Sequence, residues 1–335
     1  MTPSDEQNVN IDGHRLRLAH LEKVLYAETG TTKAQILDYY MRIAHVMIPH
    51  AESRPATRKR WVNGVGDDVK PGQVFFQKNI DQGAPRWIVR NEIQHSDHVN
   101  TYPQINDRVT LIWFAQRAAL EFHVPQWRFG VDKTHENPDR LVLDLDPGEG
   151  AGLAECAEVA RYARVLLQDM GLEPHPVTSG SKGIHLYAPL DGSADAEQIS
   201  AVAHELARVL EADHPELVVS DMKKEARRGK VLIDWSQNNP NKTTIVPYSL
   251  RGRSRPTVAA PRTWDEINGS DLRHLEYEEV LERVESGLDP IAGISTGSAA
   301  SNPTPLASLD DERAGTPRAT TSPSHAVLDL SLIHI

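Results

Sequence analysis

The sequence predicts an α+β fold, on three observations. Some segments carry apolar residues at helical spacing and others alternate with a period of two. Between about residues 140 and 236 these segments follow one another as strand, helix, two strands, helix, strand, the split βαβ order of ferredoxin-like sheets. The chain of 335 residues, 39% hydrophobic and 25% charged, is long enough for one large or two ordinary domains with a real core.

Taken in order, Thr32 with Gln35 forms a capping-box pattern. Ile36, Leu37, Tyr40, Ile43, Ala44 and Met47 then make a helical stripe that should stop before Pro49. Residues 61–65, 73–76 and 87–89 read as short strands, the first two separated by the turn-rich Gly66-Asp67-Asp68 and Pro71-Gly72. Asp107 is placed to cap a second helix running through Leu111, Ile112, Ala115, Ala118, Ala119 and Phe122. These elements form an N-terminal α/β lobe, about residues 10–135. In the second lobe, about 136–290, Leu141 to Asp146 is a buried strand ended by Pro147-Gly148, and Leu153 to Met170 is an amphipathic helix closed by Gly171. Residues 176–178 and 184–187 are strands, 195–212 a helix, 218–219 and 231–235 strands, and Tyr277 to Val284 a last helix. From about residue 291 the composition turns to Gly, Ser, Ala, Thr and Pro, which cannot bury enough apolar surface to offset ordering entropy. Residues 291–335 are therefore expected to be a disordered linker or tail, whose alternating end, Val327 to Ile335, fits a docking strand or the artefact of a truncated chain.

No run approaches the roughly eighteen apolar residues that a membrane span requires, and the N-terminus lacks the basic start and apolar centre of a signal peptide. A cytoplasmic protein with no membrane partner is expected. Cys156 is the only cysteine, which excludes an internal disulfide and a cysteine-rich zinc site. A net charge of −11 argues against a nucleic-acid partner, yet residues 223–262 hold ten Lys or Arg against Glu225 and Asp234 alone. A polyanion could dock there, and a solvated basic face fits the same run.

The chemistry centres on Leu141-Val142-Leu143-Asp144-Leu145-Asp146. A period of two puts Asp144 and Asp146 on one face. Two carboxylates side by side repel and resist desolvation, so a divalent cation between them would explain the pair, although a solvated strand end would too. Asp234 lies in a second apolar strand, Val231 to Trp235. The split βαβ order can bring that strand beside the first, and three carboxylates can hold two Mg²⁺ or Mn²⁺ ions for in-line phosphoryl displacement. The turn Ser179-Gly180-Ser181-Lys182-Gly183 offers backbone N–H groups, hydroxyls and an ammonium to a phosphate, with His185 following it. It lacks the spacing of a Walker loop. Arg251 and Arg253, separated by Gly252, would present parallel guanidiniums to a triphosphate or a nucleic-acid backbone.

Four spellings, Leu143-Asp144-Leu145-Asp146-Pro147-Gly148, Thr178 through Tyr187, Ile233-Asp234-Trp235-Ser236-Gln237-Asn238 and Tyr248-Ser249-Leu250-Arg251-Gly252-Arg253, closely resemble the polymerase domain of bacterial ligase D. That domain belongs to the archaeo-eukaryotic primase superfamily and serves non-homologous end joining. The resemblance covers about residues 10–290 and preserves the order of the motifs. It implies a primase-polymerase fold with an RRM-like catalytic sheet. It also implies that Asp144, Asp146 and Asp234 bind the two metal ions, and that Ser179, Lys182, His185, Gln237, Arg251, Arg253 and His123 hold the incoming nucleotide. Lys23 and Lys33 resemble the pocket that reads a 5′-phosphate, and Phe75 and Phe76 the pair that stacks on template bases. Outside the resemblance, the phenylalanines would read as core, the two lysines as surface charges and His123 as structural.

The resemblance further implies template-directed gap filling and end extension with a preference for ribonucleotides and Mn²⁺. The implied partners are DNA ends with a 5′-phosphate, ribonucleoside triphosphates, the Ku end-binding protein and ligase or nuclease modules, at the bacterial nucleoid. No Lys-x-Asp-Gly ligase motif occurs in the chain. A metal-dependent phosphohydrolase or nuclease, and a non-catalytic 5′-phosphate end-binding module, are the competing readings.

Overall fold

The computed structural model describes residues 6–67 and 69–295. The chain opens with a hairpin, β1 (Glu6–Ile11) and β2 (His14–Ala19), joined through Asp12 and Gly13, both at positive φ. That pair suits the two-residue hairpin turn whose twist matches its strands. The pairing of β3 (Val24–Tyr26) with β4 (Thr31–Thr32) leads into α1 (Lys33–Ala51), and the Thr32–Gln35 capping box forms as expected. The helix runs through Pro49 rather than stopping before it, because a proline in the last turn forfeits only one backbone bond.

A four-stranded sheet contains β5 (Thr57–Arg60), β6 (Phe75–Gln77), β9 (Ala119–Val124) and β15 (Thr244–Ile245), in the order β15-β9-β5-β6. The expected strand at 61–65 is instead the turn after β5, and the one at 87–89 gives way to a hairpin of β7 (Arg90–Gln94) and β8 (Val99–Pro103). Asp107 caps α2 (Arg108–Gln116) through Thr110 N–H, but the helix ends six residues before Phe122. Ala118 at positive φ turns the chain into β9, whose six residues are all buried.

The catalytic sheet carries β10 (Arg140–Pro147), α3 (Leu153–Asp169), β11 (His175–Thr178), β12 (Ile184–Pro189), α4 (Ala196–Asp213), β13 (Val218–Val219) and β14 (Val231–Asp234), followed by an edge strand β16 (Ala260–Pro261). Its order, β13-β14-β10-β12-β11-β16, contains the ferredoxin-like arrangement with the first strand at the centre. The period of two sorts the β10 side chains: Leu141, Leu143 and Leu145 pack under α3 and α4, whereas Val142 joins the N-terminal core and Asp144 and Asp146 share that opposite face.

The lobes are not consecutive in sequence, because β15 completes the N-terminal sheet and α6 (Tyr277–Glu285) packs on α1 after the short helix α5 (Trp264–Asn268). The expected boundary at 290 is also early. Ile291 and Ile294 are buried in the core, the latter within α7 (Ala292–Ser295). The rest of the expected tail, 296–335, lies outside the described residues. Among the described residues no helix is long and apolar enough to cross a membrane.

Candidate active site

Antiparallel pairing of β10 with β14 sets Asp144 opposite Asp234, and pairing with β12 sets Asp144 opposite His185 on the other side. The three carboxylates therefore share one face of the sheet. The Gln237 amide nitrogen stands 3.4 Å from Asp144 Oδ2 and 3.2 Å from Asp234 Oδ2, so one amide spans both acids. His185 Nε2 lies 3.2 Å from Asp144 Oδ1, and Asp234 Oδ1 accepts from Ser236 N–H at 3.0 Å and from its hydroxyl at 2.5 Å.

The acids differ in proton affinity. Burial would raise Asp144, but His185 and Arg251 outweigh it and hold the carboxyl below its ordinary value. Asp146 is raised by burial and then by the negative charge of Asp144, against the pull of Arg227 and Lys182. Such a like-charge set of oxygen donors suits a hard divalent cation. Among the described residues no three His, Cys, Asp or Glu side chains stand as a finished metal cage. Asp144 and Asp234 instead direct oxygens at His185, Gln237 and Ser236.

Asn238 ties the two acid-bearing segments together. Beyond Asp234 the chain leaves β14 for a short 3-10 turn, Trp235–Asn238, and the Asn238 side chain takes over the pairing. Its oxygen accepts from Val142 N–H at 2.8 Å, and its nitrogen donates to Val142 O at 2.8 Å and to Trp235 O at 2.8 Å. A further polar chain runs from the buried Arg140 to the Gln126 oxygen (2.7 Å), from the Gln126 nitrogen to Thr244 Oγ1 (2.9 Å), and on to the Gln237 oxygen (3.5 Å).

Facing the acids is an open cavity of about 230 Å³ lined by His123, Ser179, Lys182, His185, Gln237, Arg251 and Arg253 along with Asp144 and Asp146. Every residue expected to hold the nucleotide thus borders one cleft. One detail is corrected. The N–H groups of Ser181, Lys182 and Gly183 do not stand open as an anion nest; they point at Ser179 Oγ, at 3.3, 3.2 and 3.1 Å. The turn's exposed cation is Lys182, while Arg253 bonds Ser181 Oγ. Gly183 is required where it stands, since a Cβ there would lie 1.8 Å from Leu145 O. Gly252 is equally fixed beneath the Trp61 ring, where a Cβ would come within 2.1 Å of a ring carbon.

The basic run 223–262 is not one face. Arg251 and Arg253 line the cleft, Arg255 pairs with Glu28 and Glu276, and Arg262 is buried against Glu266.

A second cavity, about 490 Å³, is lined by Lys23 and Lys33 and also by Arg15, Arg17, His20, Arg60 and Arg117. Lys33 is buried, with Nζ donating to Ala19 O at 3.0 Å, and Lys23 reaches Asn63 at 3.4 Å. Sequence reasoning missed the arginines, although Arg15 and Arg17 alternate on β2 and could have been read as one face. Phe75 and Phe76, 40% and 56% exposed, project from the edge strand β6 and are not core. Glu121, also missed, receives His123 Nε2 at 2.8 Å.

Comparison with known proteins identifies the family. A family model described as LigD, primase-polymerase domain, matches residues 32–291. The multifunctional non-homologous end joining protein LigD of Mycolicibacterium smegmatis is 51% identical over 278 residues, 83% of this chain and 36% of the relative. The LigD repair protein of Mycobacterium tuberculosis H37Rv is 52% identical over 275 residues, 81% of this chain and 36% of the relative, and the Bacillus subtilis bifunctional LigD is 30% identical over 257 residues, 76% and 40%. The chain thus spans little more than a third of these relatives. A solved structure, the polymerase domain from M. tuberculosis ligase D in complex with DNA, superposes with a TM-score of 0.80 at 50% identity, covering 84% of this chain and 98% of that one. The chain belongs to the family of LigD primase-polymerase domains, nucleotidyltransferases of the polymerase type carried by non-homologous end joining proteins.

Proposed function

We propose that this chain extends a 3′-hydroxyl at a DNA break by template-directed addition of ribonucleotides, filling gaps during non-homologous end joining. The observation that carries the reading is the register that sets Asp144 against Asp234, with Asp146 on the same face, across a cleft from Lys182, Arg251 and Arg253. Asp144, Asp146 and Asp234 would hold Mn²⁺ or Mg²⁺, two ions in the full complex; a like-charged, oxygen-only donor set fits them. Bound there, they would supply charge stabilisation for the primer alkoxide and the leaving pyrophosphate.

The chain's own residues do the rest. Arg251, Arg253 and Lys182 neutralise the triphosphate from the opposite wall, an electrostatic contribution that grows as water leaves the cleft. Gln237 steadies Asp144 and Asp234, His185 holds the second oxygen of Asp144, and Ser179 keeps the 179–183 turn folded around its hydroxyl. His123 lines the nucleotide side. Phe75 and Phe76 offer exposed rings for template bases, a contact available to any base. The basic cavity around Lys23 and Lys33 would receive the 5′-phosphate of the downstream strand. The solved M. tuberculosis domain is described as a DNA complex, which supports DNA ends as a partner, and the relatives are named multifunctional, which supports ligase or nuclease modules; Ku and the nucleoid belong to the same proposal through the end-joining role.

The test is a gapped, 5′-phosphorylated duplex incubated with Mn²⁺ and ribonucleoside triphosphates. Growth of the primer is expected, and Asp146→Ala or Asp234→Ala should abolish it while leaving the fold intact. Shortening of the primer would instead favour a nuclease. Binding with no incorporation would favour an end-binding module.

A further inference from the structure

A buried carboxylate outside the acidic triad organises the triphosphate wall of the cleft. Glu121 on β9 has a side chain 4% exposed, and four nitrogen groups converge on it. They are His123 Nε2 at 2.8 Å, Gly252 N–H at 2.9 Å, Lys59 Nζ at 3.1 Å and Arg251 Nε at 3.4 Å. A carboxylate taken this far out of water is tolerated only when its oxygens are paired. Burial pushes its proton affinity up, and His123, Arg251 and Lys59 outweigh that, so Glu121 stays ionised.

The choice of partners points beyond packing. His123 and Arg251 both line the cleft, and Gly252 is the link between Arg251 and Arg253. An ionised carboxylate can only accept. His123 must therefore carry its proton on Nε2, which leaves Nδ1 of the neutral ring as an acceptor. Arg251 is paired through Nε, which lies 3.4 Å from Glu121 Oε1 as an ion pair and not as a hydrogen bond, and its terminal nitrogens make no hydrogen bond among the described residues, so the fork remains available for phosphate oxygens. The backbone between the arginines is pinned at the same point, with Tyr26 Oη donating to Arg251 O at 2.8 Å from the other side. In the sheet, Lys59 lies between Glu121 and Phe76, so the same anion also anchors the strand that supports the template-facing rings.

We propose that Glu121 is a positioning residue for the incoming triphosphate: it selects the His123 tautomer and aims Arg251 into the cleft, touching no substrate itself. The inference rests on the polymerase reading given above.

Nitrogen-15 NMR of the wild-type chain at neutral pH reads the tautomer directly and needs no variant. An Nε2–H imidazole at His123 is expected, and an Nδ1–H ring would overturn the proposal. Binding of a ribonucleoside triphosphate and of its monophosphate is then compared in wild type, Glu121→Gln, Arg251→Ala and the double variant. Gln keeps the shape and one acceptor but removes the charge. The expected loss for the triphosphate in Glu121→Gln is about tenfold, as for one charged hydrogen bond, with the monophosphate nearly unchanged. The double variant should lose less affinity than the two single losses combined, because the Arg251 guanidinium is a route common to both changes. Equal losses for mono- and triphosphate, or additive losses in the double variant, would overturn the assignment. Wild-type protein that bound no triphosphate would sink the polymerase reading along with it, whereas normal wild-type binding beside an unaffected Glu121→Gln would sink this inference alone.

Discussion

Replacing Asn238 by alanine should damage both stability and catalysis, and the structure sets the scale. The side chain is 2% exposed and makes three hydrogen bonds of 2.8 Å, two of them to the backbone of Val142 in the middle of the catalytic sheet. Its removal leaves Val142 N–H and C=O buried without partners. An unsatisfied buried group costs about 1–3 kcal/mol, so a loss of roughly 3–5 kcal/mol is expected after some rescue by water. For a domain of this size each kcal/mol corresponds to about 2–4 °C, which places the expected fall in Tm near 10 °C. Catalysis should suffer further, because the turn that carries Asp234 is no longer anchored to the strand that carries Asp144. Misplacement of a reacting group by about an ångström can cost about 10²-fold in rate. The assays are thermal unfolding and single-turnover primer extension below both melting temperatures. Asn238→Asp is the informative companion, since it keeps the acceptor for Val142 N–H yet loses both donated bonds, and it should destabilise comparably. A Tm within about 1 °C of wild type with unaltered extension would refute the idea that this amide couples the two acids.

Lys23→Ala should reduce discrimination between 5′-phosphate and 5′-hydroxyl gaps without abolishing extension, because the lysine lines the basic cavity and not the acidic cleft. Equal discrimination in wild type and variant would remove Lys23 from that role. Acid should destabilise the fold through buried neutral histidines. His50 is held well below its ordinary value by burial and by Arg140 and Arg54, and burial lowers His274 to about 4. The unfolded chain therefore binds these protons first. Their contribution is complete above about pH 6.5 and falls by about 1.4 kcal/mol per group per pH unit below it. His50→Leu should flatten the decline of Tm between pH 6.5 and 5, and an identical slope would contradict the assignment.

The acidic centre was legible because its signals are local. Alternation fixes the shared face of Asp144 and Asp146, and the split βαβ order then brings Asp234 to the neighbouring strand. The parts that escaped are those whose meaning depends on distant partners. Glu121 sits between Leu120 and Phe122 like any polar residue of a half-exposed strand, and only folding surrounds it with His123, Lys59 and the 251–252 turn. Asn238 lies in a run of turn-forming residues that ordinarily face water, yet its amide substitutes for a strand. β9 reads as a helical extension because Ala115, Ala118, Ala119 and Phe122 keep helical spacing. A backbone reversal at Ala118 overrides that pattern, and burial in the sheet decides the outcome. The opening hairpin does carry a local signal, Asp12-Gly13 between alternating apolar residues, and was missed all the same. At the other end, the polar composition past residue 291 concealed two buried isoleucines, Ile291 and Ile294.

The central claim is that three carboxylates from two neighbouring strands bind the cations on which nucleotide addition depends. Anomalous diffraction from crystals soaked with Mn²⁺ and a non-hydrolysable ribonucleoside triphosphate tests it most directly. The account predicts manganese peaks within coordination distance of oxygens of Asp144, Asp146 and Asp234, with the triphosphate against Arg251, Arg253 and Lys182. Ordered nucleotide in the cleft with manganese bound only elsewhere would contradict it.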